Sequence, residues 1–422
     1  MGPRAHLTRI LGLSGYRVVR ITLGSGAPWD RLTIRIERKA LQGHRCPNCR
    51  RKCSKIRDQK ERTWDDLPWA EYPVTIVYSL RRIRCPRCGI RTEAVPFADP
   101  RARVTRRLRN RIALDCQSMP TSHAAVRHGV SWGKAHRAEK TFLQDWDRTR
   151  PRRRPAHLGA DEVQRAKGQR YWTVLSDLVH GEVIGLAEDR TQQALSSLLT
   201  GCLDARQRAA VKACCTDMHK PYLNAIAEQL PRAEVVFDKF HVLQHAGRAI
   251  DEVRRAEFFR AGPQMRAYGR GKRWLLLRRW ENLDPEQRTR LRELFAVNRR
   301  LFKAYVLREQ LDRLWSYKSE YGVRRFLARW VLALRWQRLP QMVKLAAFLV
   351  RHLDGIIAYT RHRVRFGVVE SLNTTIKSLL RRARGMRDST MLLLKLKWAT
   401  AHPIRSAKDL KRFLELGLHT NR

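Results

Sequence analysis

The chain has 422 residues, 43% of them hydrophobic, and carries 87 Lys or Arg against 39 Asp or Glu, a formal net charge of +48. That apolar content, with 12 Trp and 10 Tyr, excludes general disorder and suits roughly two to four domains of ordinary size. The charge disfavours an enzyme of neutral metabolites and points to a polyanion, because neutralising phosphates releases counterions and supplies sequence-independent affinity; an Arg-biased or ribosome-bound protein is the competing explanation. The longest apolar runs, VKLAAFLV around Leu345 and MLLLKLKW around Leu393, are short and contain lysine, so no membrane partner is expected. Without a secretory leader pattern the chain reads as cytoplasmic, where its nine cysteines serve as metal ligands or buried thiols rather than disulfides.

Residues 1–98 form the first region, an N-terminal β-rich zinc-finger domain. It holds alternating strand-like runs such as TIVYSLRRI and two knuckles, Cys46-Pro-Asn-Cys49 and Cys85-Pro-Arg-Cys88. Four thiolates at this spacing suit one tetrahedral structural Zn²⁺. The 35 residues between the pairs leave room for a strand hairpin. Cys53, Cys116, Cys202, Cys214 and Cys215 lack partners at ligand spacing and read as buried small hydrophobes.

Residues 99–150 are short, basic and helical. Within SHAAVRHGVSWGKAHRAEK, Gly129 supplies a turn, Val130 an apolar anchor and Ser131 a cap for the following helix, the order of a helix-turn-helix. In that arrangement Ser131, Trp132, Lys134 and Arg137 face DNA. An ordinary helical hairpin has the same pattern. PRRRP, Pro151 to Pro155, then makes an extended charged linker.

Residues 151–245 change texture. AHLGADEV reads as a strand carrying Asp161, and two further strands meet at a His180-Gly181 turn. Helices are expected over about Gln192–Leu203 and Pro221–Leu230. Between them the apolar run AAVKACCTD, Ala209 to Asp217, reads as a strand buried on both faces and ending on Asp217; AEVVFD follows as another. Three antiparallel strands followed by alternating helix and strand give an α/β class, an RNase H-like mixed sheet in which the first and fourth strands adjoin, so Asp161 and Asp217 stand side by side. Residues 246–360 read as an all-α insertion, and 361–422 as a helix returning to the sheet with C-terminal helices beyond it.

The returning segment holds a lone acid. From Gly355 to Arg387 there are eight Lys or Arg and only Glu370. A first-turn carboxylate favoured by the helix dipole is one account, with Gly385 as the stop. The other joins Glu370 to Asp161 and Asp217. Carboxylates gathered in a basic protein need cations between them, and Mg²⁺ (or Mn²⁺) prefers such oxygen ligands. Two ions held by three acids suit in-line phosphoryl displacement. Lys377, Arg381 and Arg384, which lie 7, 11 and 14 positions on along the same helix face, would grip phosphates.

HLGADEV, CCTDMHKPY, VVFDKFHVLQHAGRAIDEVRR and VVESLNTTIKSLLRRARGMRD, behind paired knuckles and a helix-turn-helix, resemble the transposases of the ISL-three family of bacterial insertion sequences over nearly the whole chain. The resemblance implies a DDE nuclease with Asp161, Asp217 and Glu370 as its metal-binding triad. It implies cleavage at element ends by water, joining of the freed 3′-OH to target DNA, and recognition of terminal inverted repeats by the N-terminal modules. It further implies a nucleoid location and a homodimer or larger assembly on double-stranded DNA. Asp238-Lys-Phe-His241 resembles a D-x-x-H element that supports the active site in related transposases, and Trp315 loosely resembles a tryptophan that stacks on an unpaired base. Where several members read Glu-Gly-x-Asn this chain has Glu370-Ser371-Leu372-Asn373, with Asn373 one turn from Glu370 and placed to orient it or touch a phosphate. Asp177, Glu162 and Glu182 are competing acids, but none ends a buried apolar run. The alternatives are a non-catalytic DNA-binding regulator derived from a transposase and an RNA-processing nuclease of the same fold.

Overall fold

The computed structural model describes residues 8, 11–13, 15–25, 30–39, 44–166, 170–383, 386, 388–402, 406–408 and 411. The chain divides into two compact units, Met1–Pro151 with Ser378–Arg422, and Arg152–Lys377.

In the first unit, β1 (Tyr16–Gly24) pairs antiparallel with β2 (Arg31–Arg38). The short β3 (His44–Arg45) and β4 (Lys52–Cys53) make a two-stranded ribbon around the first knuckle. A long hairpin, β5 (Ile56–Trp69) and β6 (Tyr72–Cys85), fills the gap between the cysteine pairs, with β2 parallel to β6 on one side and β7 (Gly89–Thr92) antiparallel to it. Alternation along these strands sends Tyr16, Ile34, Trp64, Ile76 and Tyr78 into one apolar core. Glu93 is buried there at 4% exposure and is satisfied by the Tyr78 hydroxyl at 2.8 Å and the Arg38 guanidinium at 2.9 Å, the pairing a buried carboxylate requires.

Three helices follow: α1 (Arg106–Ser118), α2 (Thr121–Arg127) and α3 (Trp132–Thr149). The Thr105 side chain caps α1 and that of Ser131 caps α3, each accepting a backbone N–H three residues on. Gly129, between α2 and α3, has φ +59°, and a Cβ there would stand 2.6 Å from Pro73 Cγ, so the turn admits only glycine.

The second unit is built on a five-stranded sheet. β8 (His157–Ala166), β9 (Arg170–Asp177) and β10 (Glu182–Glu188) are antiparallel, then α4 (Gln192–Cys202) and α5 (Ala205–Ala210) lead to β11 (Ala213–Thr216), and α6 (Lys220–Gln229) to β12 (Glu234–Phe237). The strand order is β10-β9-β8-β11-β12, with β11 parallel to both neighbours. This mixed sheet is RNase H-like, and its first and fourth strands adjoin as expected. Both faces are covered: Cys214 enters a core with Leu158, Leu199 and Tyr222, and Cys215 one with Val236, Val242 and Ile250. The long apolar strand expected over Ala209–Asp217 is shorter, because α5, started ahead of that run by a reciprocal capping box between Asp204 and Gln207, extends into it as far as Ala210.

The helical insertion comprises α7 (Lys239–Arg260), α8 (Pro263–Gly269), α9 (Arg273–Leu277), α10 (Pro285–Val297), α11 (Arg299–Leu311), α12 (Glu320–Leu334), α13 (Pro340–Arg351) and α14 (Leu353–His362). Gly355 lets α14 lie on β12, since a Cβ there would meet the Phe237 ring at 2.4 Å. Next, α15 (Phe366–Ala383) carries the chain out of the second unit. In the first unit α16 (Ser389–Ala401) completes the helical core, its Met391, Leu394 and Trp398 packing on Ala113, Leu114, Phe142 and Leu143. The residues from Ser378 on, which include the C-terminal helix expected beyond the returning one, group with the unit that holds the helix-turn-helix. A buried ion pair, Lys395 with Glu139, joins α16 to α3, and Thr121 Oγ1 donates to the same carboxylate at 2.9 Å. Among the described residues no helix is long and apolar enough to cross a membrane.

Candidate active site and metal centre

Strand register brings the acids together. β8 and β11 pair Ala213 with His157 and Cys215 with Gly159, so the same register carried two residues on sets Asp217 beside Asp161. β11 and β12 pair Thr216 with Phe237, and the Asp238 N–H donates to the Thr216 carbonyl at 3.0 Å. Three aspartates, 161, 217 and 238, thus stand abreast on neighbouring parallel strands: Asp217 and Asp238 directly follow β11 and β12, at the end where open α/β sheets bind ligands, while Asp161 lies within β8, which runs on to Ala166. Asp238 had been read only as a supporting residue. The signal was present, since VVFD ends a buried strand on an acid just as CCTD does.

Each carboxylate has a local anchor. Asp161 accepts from the Glu162 amide at 2.8 Å and from the Asn373 side-chain amide at 2.6 Å. Burial pushes the Asp161 carboxyl above its usual range, with Asp238 adding to the rise, against those two hydrogen bonds and the nearby His241. Asp217 Oδ1 accepts the His219 N–H at 3.0 Å, closing a tight turn that holds it at the strand end. Asp238, 4% exposed, caps α7 by accepting the Phe240 N–H at 2.8 Å, and its other oxygen lies 3.3 Å from His241 Nδ1. That bond lifts His241 to about 9 against the effect of its burial, helped by the charges of Asp161, Asp238 and Asp217. At neutral pH an imidazolium therefore sits among three carboxylates.

Glu370 projects from α15, three positions before Asn373. The start of this helix is held to the β9–β10 turn, where Arg365 donates to the Val179 carbonyl at 3.2 Å. Since α15 begins at Phe366, Glu370 lies beyond its first turn, which removes the helix-start account of this acid. Glu370 is exposed and has no hydrogen bond or ion pair among the described residues. Asn373 does not reach it: its amide goes to Asp161 instead. The competing acids are otherwise engaged, Asp177 by His180 at 2.7 Å and two turn amides, Glu162 by Arg190 at 3.0 Å, and Glu182 by Arg153 at 3.0 Å.

The only set of three or more His, Cys, Asp or Glu ligand atoms gathered within 4.8 Å of one another among the described residues is Cys46, Cys49, Cys85 and Cys88. Thiolates about 2.3 Å from a shared tetrahedral ion are mutually about 3.8 Å apart, and Cys49 and Cys85 Sγ lie 3.5 Å apart. This is a structural zinc site. Burial raises the Cys85 thiol, but the amides of Cys88 and Arg87 and the neighbouring thiols outweigh it and hold it at about 6. Cys53, read from the sequence as a buried small hydrophobe, is buried against the same cluster, its Sγ donating to the Arg51 carbonyl at 3.4 Å.

At the helix-turn-helix, Ser131 caps α3, Trp132 is 57% exposed with its ring stacked on His136 at 4.8 Å, and Arg137 is exposed. Lys134 departs from expectation. Its ammonium is committed to Asp65 at 2.5 Å, tying α3 to β5 instead of facing a ligand. Trp315 is also corrected: it is 7% exposed in the helical core beneath Lys239, so its ring has no open face for a base. Lys377 and Arg381 are exposed on α15, and Arg384 lies outside the described residues.

Comparison with known proteins agrees with this layout. Residues 158–396 match the family model described as a transposase of the ISL3 type, residues 42–88 the zinc-finger of the transposases of IS204, IS1001, IS1096 and IS1165, and residues 93–142 the helix-turn-helix domain of transposase family ISL3. The chain is 32% identical over 409 residues, 94% of its length and 98% of the relative's, to the transposase for insertion sequence element IS1001 of Bordetella parapertussis. It is 27% identical over 395 residues, 88% of each chain, to the transposase for insertion sequence element IS1557 from two strains of Mycobacterium tuberculosis.

Proposed function

Since the chain belongs to the ISL3 family of DDE transposases, we propose that it binds the terminal inverted repeats of its insertion sequence and catalyses magnesium-dependent DNA cleavage and strand transfer there. Asp161, Asp217 and Glu370 are the proposed catalytic acids. The observation that carries this reading is the parallel register that aligns Asp161 with Asp217, together with the hydrogen bond from Asn373, on the Glu370 helix, to Asp161.

The residues fit a hard divalent cation. They offer oxygen donors only, and a carboxyl raised by burial beside other acids is stabilised by added positive charge. Two Mg²⁺ or Mn²⁺ ions, when bound, would lower the pKa of an attacking water and neutralise charge on the leaving oxygen. The protein's own contributions are positional. The sheet fixes Asp161 and Asp217, Asn373 orients the Asp161 carboxylate, Asp238 and His241 hold a proton beside both, and α15 presents Glu370 with Lys377 and Arg381 on exposed turns for phosphate contact. Water attacks the phosphodiester at the element end and releases a 3′-OH. That hydroxyl then displaces a strand of target DNA, so one P–O bond breaks for each formed.

In this reading the zinc module and the helix-turn-helix, through Ser131, Trp132 and Arg137, recognise the repeats, and two ends are held by a dimer or larger assembly. A supercoiled plasmid carrying the element ends tests it. Asp161→Asn should abolish Mg²⁺-dependent nicking while end binding persists. A protein that binds ends but never nicks, with or without Asp161, would instead be the non-catalytic regulator.

A further inference from the structure

One face of the helical insertion is used by nothing described so far. From Tyr321 to Arg351 the chain runs 31 residues with seven Lys or Arg and no Asp or Glu. All seven are exposed. α12 buries Val323, Leu327, Trp330 and Leu334 and turns its other side to solvent. There, and in the turn just past its end, Tyr321, Leu332 and Trp336 are 70%, 63% and 80% exposed. Arg325 lies 6.0 Å from the Tyr321 ring centre and Arg335 5.4 Å from that of Trp336. Arg324 is taken by Glu320 at 2.8 Å, but Arg325, Arg329 and Arg335 have no acidic partner among the described residues. Arg325 and Arg329, one turn apart, are about 6 Å apart along the axis.

We infer that this face of α12, with the turn that follows it, is a second DNA-contact surface, which lies on the phosphate backbone of target duplex of arbitrary sequence. Charge decides the occupant. A second copy of the same face would oppose cation to cation, which self-association penalises, whereas a duplex presents a dense line of phosphates. Exposed arginines without acidic partners suit phosphate contact, which fixes position and carries no sequence information. The inference takes DNA as the polyanion from the transposase reading, but it does not depend on which acids are catalytic.

The test uses the full chain and the triple variant Arg325→Ala/Arg329→Ala/Arg335→Ala. Binding to a random-sequence duplex of about 40 base pairs is measured across a salt series. The slope of log affinity against log salt should fall by about two to three, and affinity near 0.1 M salt by about tenfold or more, with zinc content and circular dichroism unchanged. Nicking at element ends should persist in the variant while strand transfer into a second plasmid falls. An unchanged slope overturns the inference. So does an unchanged slope with a smaller sedimenting species, which would make the face a contact between copies. If the parent protein binds random duplex and the variant does not, yet neither nicks, this surface stands and the catalytic reading fails. A parent with no salt-dependent duplex binding ends both.

Discussion

The zinc module and the sheet proposed to be catalytic each offer candidate metal ligands, but in opposite states of readiness. In the first, four sulfurs already converge within 4.8 Å. In the second, strand register aligns the aspartates while Glu370 remains exposed and the acids do not gather to that limit. The difference is electrostatic. Thiols can stay protonated and pack as small apolar groups, with amide donors ready to stabilise thiolates as metal arrives. Carboxylates are charged at neutral pH and repel until cations stand between them, which here falls in part to the His241 imidazolium. A site that holds a structure together is preformed, and a site that handles substrate is left open.

The largest test of that contrast removes a thiolate. Cys46→Ser should strip the bound zinc and unfold the N-terminal module, since apparent zinc-binding energies of about 10–16 kcal/mol are folding energy in such sites. Metal analysis with circular dichroism measures both, and withdrawal of Mg²⁺ should leave the fold intact. A catalytic-metal removal that unfolds the chain would erase the distinction.

Next in size is the buried pair Glu139–Lys395, a carboxylate whose cation is built in. Lys395→Met should cost about 3–5 kcal/mol by stranding the buried acid, and adding Glu139→Gln should recover much of it. Chemical denaturation of the single and double variants gives the comparison. Equal losses in both would mean that packing, not charge, holds α16.

Asp161 is the opposite case, a half-buried carboxylate whose proposed cation would come from solution. Its raised pKa means that the metal-free fold is disfavoured once the group ionises, so Asp161→Asn should stabilise metal-free protein. The same change should remove the rise in melting temperature that Mg²⁺ gives the parent. Thermal melts with and without Mg²⁺ would count against the site if the variant kept that rise.

The smallest effect is a pH dependence. His241 is raised to about 9, so its stabilising contribution in metal-free protein is complete below its ordinary pKa, about 6.5, and is lost as pH rises through about 9. Mg²⁺ on the neighbouring carboxylates should lower that pKa. Imidazole NMR titration reads the shift directly, and a pKa indifferent to Mg²⁺ would place the ions elsewhere.

Much of the site is legible in the chain because its signals are local. A CxxC doublet brings two thiols to one knuckle, and an apolar run ending on an acid delivers a carboxylate to a strand end, as at Asp217 and again at Asp238. Ser131 caps its helix because the next residues start one. The start of α5 was equally local and was overridden in the reading by hydrophobicity, although Asp204 and Gln207 stand at capping-box spacing.

What the sequence determined by itself is the set of groups and their immediate geometry: zinc knuckles, a helix-turn-helix, one aspartate within a strand, two at strand ends and one glutamate on a basic helix. The tertiary structure decided which charge answers which. Lys134 turned to Asp65 across 69 positions, Asn373 to Asp161 across 212, and Lys395 to Glu139 across 256, while Trp315 went into the core. Spacing encodes what one turn or strand can bring together. Partners hundreds of residues apart are chosen by the shared burial of whole elements, a property that no short stretch of sequence carries.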